Sequence, residues 1–204
     1  MGKIKNVVFD LGNVLVDFNP TAYLIKEYEN FEDVKVLFYE VFKSCEWQLL
    51  DQGAITDKEA YEAIVKRIPD YAKDVEKLLL NWEDFLIREI KESTYFLKKF
   101  KAMGLGIYGL SNYPERGYKA TKDKFDFFKE FDGIVVSYEE GVLKPDHKLY
   151  EVLFERYNLD PRECIFIDDT MVNVSSAREQ GMIAVHYRTT DEFMEVLRCI
   201  ETSD

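Results

Sequence analysis

Five short apolar runs constrain this chain more than anything else in it: Val7–Phe9, Gly106–Leu110, Ile134–Val136, Ile165–Ile167 and Ile183–Val185. Each is too short for a helix, rich in β-branched side chains and continuous rather than alternating. A strand with one face in water alternates apolar and polar residues, whereas a strand covered on both faces does not. The runs therefore predict strands of a parallel sheet with helices on either side. Helical patterns with stop signals lie between the later runs. Phe96, Leu97, Phe100 and Met103 recur at helical spacing before Gly104. Leu149, Val152 and Leu153 precede Asn158, and Val172 and Ala177 precede Gly181, which reads as a left-handed helix cap. Such alternation predicts an open, doubly wound α/β sheet.

Between the first and second runs the alternation stops, and no convincing strand is legible there. Thr56-Asp57-Lys58-Glu59 fits a capping box, followed by Ala60, Tyr61, Ile64, Val65 and Ile68 on one helical face. Leu24 to Phe42 and Tyr71 to Leu80 also read as amphipathic helices, with turns near Asn30 and Gly53. Compact domains rarely tolerate so long a structureless loop, so an inserted helical subdomain is expected. The expected organisation is a Rossmann-like core over residues 1–17 and 90–204 and an α-helical cap over 18–89.

At 204 residues the chain is long enough for one domain to bury a core without disulfides or a structural metal. A formal net charge of −12 makes nucleic acid and anionic membranes unsuitable partners. Cys45, Cys164 and Cys199 match no metal or redox spacing, and a reducing, cytoplasmic setting is expected. Lys3 and Lys5 ahead of Val7-Val8-Phe9 mimic the start of a signal peptide, but Asp10, Asn13 and Asp17 interrupt it, so neither leader nor membrane span is expected. No stripe marks an oligomer beyond a monomer or weak homodimer. His147 and His186 lack partner spacing and read as solvent or packing residues.

In open α/β sheets, ligands bind beyond the carboxyl ends of the strands. Asp10 follows the first run, Ser111 and Asn112 the second, Lys144-Pro145 the third after a short excursion, and Asp168-Asp169 with Asn173 the fourth. One rim thus gathers three carboxylates, a hydroxyl and an ammonium, a set suited to phosphoryl transfer. Asp10 can attack phosphorus, the clustered carboxylates suit Mg²⁺, Ser111 can donate to a phosphoryl oxygen, and Lys144 can balance charge. Trp47, Gln48 and Asp51, just before the turn at Gly53, are candidates to face a substrate.

At these residues, in this order, nearly the whole chain resembles the haloacid dehalogenase-like hydrolase superfamily, most of whose members are Mg²⁺-dependent phosphatases. The resemblance implies Asp10 as nucleophile, Ser111 and Lys144 holding phosphate, and Asn112 as a substrate or phosphate donor. It implies Asp10, Asp168, Asp169 and the backbone carbonyl of Gly12 around the metal. Phe9-Asp10-Leu11-Gly12-Asn13-Val14, Gln52-Gly53-Ala54-Ile55-Thr56 and Phe166-Ile167-Asp168-Asp169 are similar to the α-D-glucose-1-phosphatase branch. One departure stands out. Phosphatases of the superfamily usually place an acidic Asp two residues after the nucleophile, where this chain has Gly12. Either a cap residue (Glu46 or Asp51 being candidates) or metal-bound water supplies the proton, or the leaving hydroxyl is unusually acidic, as in an anomeric sugar phosphate, or catalysis is lost. The expected function is hydrolysis of a small phosphorylated metabolite through an aspartyl-phosphate. The alternatives are a 2-haloacid dehalogenase, which needs no such acid, and a non-catalytic phospho-ligand binding module.

Overall fold

The computed structural model describes residues 3–202; positions 1–2 and 203–204 of the expected core lie outside the described residues. All five apolar runs are strands. Together with two short ones they are β1 (Asn6–Phe9), β2 (Val16–Phe18), β3 (Ile87–Glu89), β4 (Gly106–Ser111), β5 (Gly133–Val136), β6 (Cys164–Asp168) and β7 (Ile183–His186). The long strands form one sheet in the order β5-β4-β1-β6-β7, and every pairing in it is parallel.

Helices α1 (Pro20–Glu27), α2 (Phe31–Leu37), α3 (Cys45–Asp51), α4 (Asp57–Arg67) and α5 (Ala72–Leu80) lie between β2 and β3. Helices α6 (Lys91–Ala102), α7 (Glu115–Lys124), α8 (Ser137–Glu140), α9 (His147–Tyr157), α10 (Met171–Glu179) and α11 (Glu192–Glu201) accompany the sheet. The two faces of the sheet account for the continuous apolar runs. Val7, Phe9, Ile165 and Ile167 pack into one core with Leu97, Phe100, Phe193 and Val196 from α6 and α11. Val8 and Phe166, one residue out of step, pack on the other side with Leu149, Tyr150, Leu153, Val174 and Ala177 from α9 and α10. Successive strand residues point to opposite faces, and here both faces are dry. Helix ends follow their signals: both halves of the Thr56–Glu59 capping box form, and Asn158 and Gly181 adopt positive φ of 51° and 91°.

Strands β2 and β3 correct the expectation that no strand lies between the first two apolar runs. They pair antiparallel, Val16 opposite Glu89 and Phe18 opposite Ile87, and tie both ends of the helical segment together. Each is three residues long, with too little alternation to register as a pattern, and the partners lie far apart in sequence. Among the described residues no helix is long and apolar enough to cross a membrane.

The end of α3 is fastened to α8. Ser137 Oγ donates to the carbonyl of Asp51, and Gln52 Nε2 donates to the carbonyl of Gly141 at 2.7 Å. Directly after them Gly53, at φ +67°, lies so close to the Tyr138 carbonyl that a Cβ would collide with it. Gly53→Ala therefore meets both a strained backbone and a backbone clash, and is expected to cost about 1–3 kcal/mol. A lowered denaturant midpoint at unchanged slope checks this; an unchanged midpoint would show that the contact yields freely.

Candidate active site

The chain steps outward from β1 to β4 and β5, then returns across β1 to β6 and β7. The reversal opens a crevice at the carboxyl end of β1, where ligands of such sheets bind. Asp10 leaves β1 at that point, its backbone N–H bonded to the Ile167 carbonyl at 2.9 Å. Every bond received by its side chain falls on one oxygen. Leu11 N donates to Oδ1 at 2.7 Å, Ser111 Oγ donates to it at 2.7 Å, and Lys144 Nζ lies 3.0 Å from it. Oδ2 has no partner among the described residues.

Lys144 is buried. Its ammonium lies 2.6 Å from Asp168 Oδ2 and donates to the Leu110 carbonyl at 2.9 Å. Asp168 is also held by the backbone N–H of Thr170 at 2.8 Å and by Asn173 Nδ2 at 3.1 and 3.2 Å. Asp169 receives Asn13 Nδ2 at 3.3 Å, while Asn13 Oδ1 accepts from Phe18 N. Asn13 has a positive φ of 54°, a conformation that asparagine tolerates better than most side chains. Asn13 is a site residue that the sequence marks only as an asparagine in a tight loop after a strand. His186 Nε2 meets the Asp169 carbonyl at 2.9 Å, and His147 lies at the surface against Glu179.

One carboxylate oxygen from each of Asp10, Asp168 and Asp169 lies within 4.8 Å of the others. Burial first, then repulsion from Asp168 and Asp169, raises the Asp10 pKa to about 7, against the pull of Lys144 and Ser111. Burial and Asp168 likewise raise Asp169. Burial disfavours the Lys144 ammonium, yet Asp10 and Asp168 beside it hold its pKa above the ordinary lysine value. Three carboxylates face one ammonium, and two negative charges remain when all are ionised. The shortage of positive charge and the all-oxygen donor set fit a hard divalent cation.

A cleft of about 210 Å³ opens above Asp10, lined by Gly12, Asn13, Phe18, Trp47, Asp51, Trp82, Asn112, Tyr113 and Pro114, with Asp169 and Thr170 at its floor. Its aromatic wall comes from separate elements: Phe18 stacks on Trp47 at 5.8 Å between centroids and meets Trp82 edge-on at 5.1 Å. Ser111, Lys144 and Asp168 are buried and do not line the cleft. Asn112 does line the cleft, but its amide is engaged at both ends: Nδ2 donates to the Lys144 carbonyl and Oδ1 accepts from Lys144 N. It thereby holds the lysine in place. Of the three residues before Gly53, Trp47 and Asp51 reach the cleft, whereas Gln48 is exposed and absent from its lining. Glu46 is bound by both terminal nitrogens of Arg67 at 2.6 and 2.9 Å.

Known proteins resemble this chain in sequence and in fold. Residues 4–181 match the haloacid dehalogenase-like hydrolases. Sesquiterpene phosphatase AstK of Aspergillus oryzae is 26% identical over 89% of each chain. Drimenol cyclase DrtB of Aspergillus calidoustus is 28% identical over 95% of this chain, which spans only 36% of that longer protein. Among solved structures, an HAD family enzyme of Bacteroides thetaiotaomicron shares 23% identity and the same fold, with a TM-score of 0.75 over 96% of this chain and 98% of that one. That enzyme has also been solved with magnesium and inorganic phosphate.

Proposed function

Because the chain belongs to the haloacid dehalogenase-like hydrolase family, we propose that it is a Mg²⁺-dependent phosphomonoester hydrolase acting on a small metabolite. The observation that carries this reading is the set of buried Asp10, Asp168 and Lys144 with half-buried Asp169, with two more negative charges than positive ones. In this reading Asp10, Asp168, Asp169 and the Gly12 carbonyl would hold the metal, which would supply positive charge to the transferring phosphoryl group.

The chain's own residues do the rest. Ser111, Lys144 and Leu11 N fix Oδ1 of Asp10, so Oδ2 is the oxygen available to attack phosphorus and form an aspartyl-phosphate. Lys144 stabilises charge on nucleophile and phosphoryl group together, and Asn112 sets its backbone. Asn13 and Asn173 keep Asp169 and Asp168 aimed at the same point. Helices α1–α5 act as the cap over residues 18–89, and the cap and core together enclose the cleft.

Phe18, Trp47, Trp82, Tyr113 and Pro114 offer apolar and aromatic faces to the ester's organic part. Such a wall suits a hydrocarbon body or the apolar face of a sugar ring, as an anomeric sugar phosphate would present. The dehalogenase alternative finds less support. Arg67, the first arginine of the chain, is engaged by Glu40 and Glu46 and is absent from the cleft. The acidic cluster would also have no purpose in a reaction that needs no cation.

Phosphate release across a panel of sugar, polyol and hydrocarbon phosphates, with and without Mg²⁺, tests the reading. Release is expected with Mg²⁺ and is expected to stop when EDTA is added. Chloride release from 2-chloropropionate, or turnover indifferent to EDTA, would overturn it. Binding of phosphate and Mg²⁺ with no hydrolysis of any ester would favour the non-catalytic module.

A further inference from the structure

Expulsion of an alcohol from a phosphate monoester goes far better with a proton delivered to the departing oxygen. The loop after Asp10 carries none to give: Leu11, Gly12 and Asn13 have no acidic group. We propose that Asp51, at the end of α3 and on the cleft wall, donates this proton. The proposal rests on the hydrolase reading above.

Four titratable side chains line the cleft: Asp10, Asp51, Tyr113 and Asp169. Asp10 is the nucleophile. Asp169 belongs to the metal-holding cluster and is bonded by Asn13 and Thr170. The Tyr113 hydroxyl is paired with Thr121, and burial pushes its pKa above the ordinary tyrosine range. Only the Asp51 carboxyl has neither a hydrogen-bond nor an ion-pair partner among the described residues. Its backbone is nonetheless fixed, because Ser137 holds the Asp51 carbonyl, Gln52 holds the Gly141 carbonyl, and Gly53 abuts Tyr138. A free carboxyl on a fastened backbone is the arrangement a proton donor needs.

Glu46, in the same helix, is excluded. Its bonds to Arg67 hold it down to about 2, so it stays ionised at neutral pH. Burial raises the Asp51 carboxyl above the ordinary aspartate value, the direction a proton donor needs.

The chemistry balances. As Asp10 Oδ2 bonds to phosphorus, the bond from phosphorus to the ester oxygen breaks and its electron pair stays on that oxygen. The oxygen takes the Asp51 proton and leaves as an alcohol, and Asp51 becomes a carboxylate. Water then attacks phosphorus, gives one proton back to Asp51, and releases inorganic phosphate and the Asp10 carboxylate.

The test compares two esters. With Asp51→Asn, kcat/KM for an alkyl phosphate that the wild-type enzyme hydrolyses is expected to fall about 10²–10³-fold, and that for 4-nitrophenyl phosphate by less than about tenfold, since nitrophenolate leaves without a proton. Turnover of the aryl ester also reports that the variant is folded. A Cβ at Gly12 would meet nothing within 4 Å, so Gly12→Asp added to Asp51→Asn is expected to restore part of the alkyl-ester activity. Equal losses on both esters would make Asp51 structural and overturn the proposal, as would undiminished alkyl-ester turnover. If wild-type protein releases phosphate from neither ester, the hydrolase reading itself fails, and this one with it.

Discussion

Asp10→Asn is expected to lower phosphatase turnover by at least about 10⁴-fold, because an amide nitrogen cannot take the place of the attacking carboxylate oxygen. The substitution is well suited to the question. Leu11 N, Ser111 and Lys144 all address Oδ1, an atom that asparagine retains. The loss should therefore come without unfolding, and a second readout separates the two. With its pKa raised from 3.8 to about 7 by burial and by Asp168 and Asp169, Asp10 binds a proton more tightly folded than unfolded. Its contribution to stability is then fully present below about pH 4 and is lost as the pH climbs through about 7. Metal-free wild-type protein should lose thermal midpoint between pH 5 and 8. Asp10→Asn should lose less, and residual slope should remain from Asp51 and Asp169, which are raised in the same direction. Mg²⁺ at pH 8 should recover more for the wild type than for the variant. An Asp10→Asn protein with near-normal turnover would remove the nucleophile from the scheme.

Lys144→Met is expected to give the largest loss of stability. The ammonium is buried between Asp10 and Asp168, and its side chain is only 1% exposed. A methionine of similar length leaves two carboxylates buried against each other without a counterion. Breaking such a pair costs about 3–5 kcal/mol. At roughly 2–4 °C per kcal/mol for a chain of this size, the midpoint should fall by about 10 °C. The loss should shrink at pH 5, where Asp10 is protonated, and shrink with Mg²⁺ at pH 8. Turnover should fall by at least about 10³-fold, since charge on the transferring group goes unbalanced. A midpoint that does not move would mean that another cation already neutralises the cluster.

How far the sequence can be read depends on whether a feature is local. Val7–Phe9 and Ile165–Ile167 are legible because a strand covered on both faces carries its environment in every residue. Asp10, Ser111 and Asp168 are legible because each directly ends a strand, and the rule that ligands gather at strand ends needs no knowledge of packing. Lys144 required more, since α8 and a turn separate it from β5. Of the aromatic wall, only Trp47 is a candidate from sequence, by its place just before the turn at Gly53. Phe18, Trp82 and Tyr113 come from separate segments, and nothing in any one of them tells a cleft residue from a core residue. Asn112 shows another limit. Its position is legible, but its amide turns to the backbone of Lys144 rather than standing free. Glu46 and Asp51 lie on the same helix and are equivalent candidates by type. The approach of Arg67 from α4 to Glu46, and the place of Asp51 on the cleft wall, separate them.

Strand β1, with Val7 beside both Ile107 and Ile165, is the middle of the sheet and the earliest of its five strands in sequence. Its neighbour on one side follows about half the chain later, and its neighbour on the other side much later still. Closing such long loops precedes any gain from the pairing. Val7, Val8 and Phe9 thus wait for distant partners, and β6 brings Asp168 to Lys144 in the same event that gives β1 its second neighbour. The reactive centre and the last central strand are acquired together, so a nascent chain short of β6 has neither.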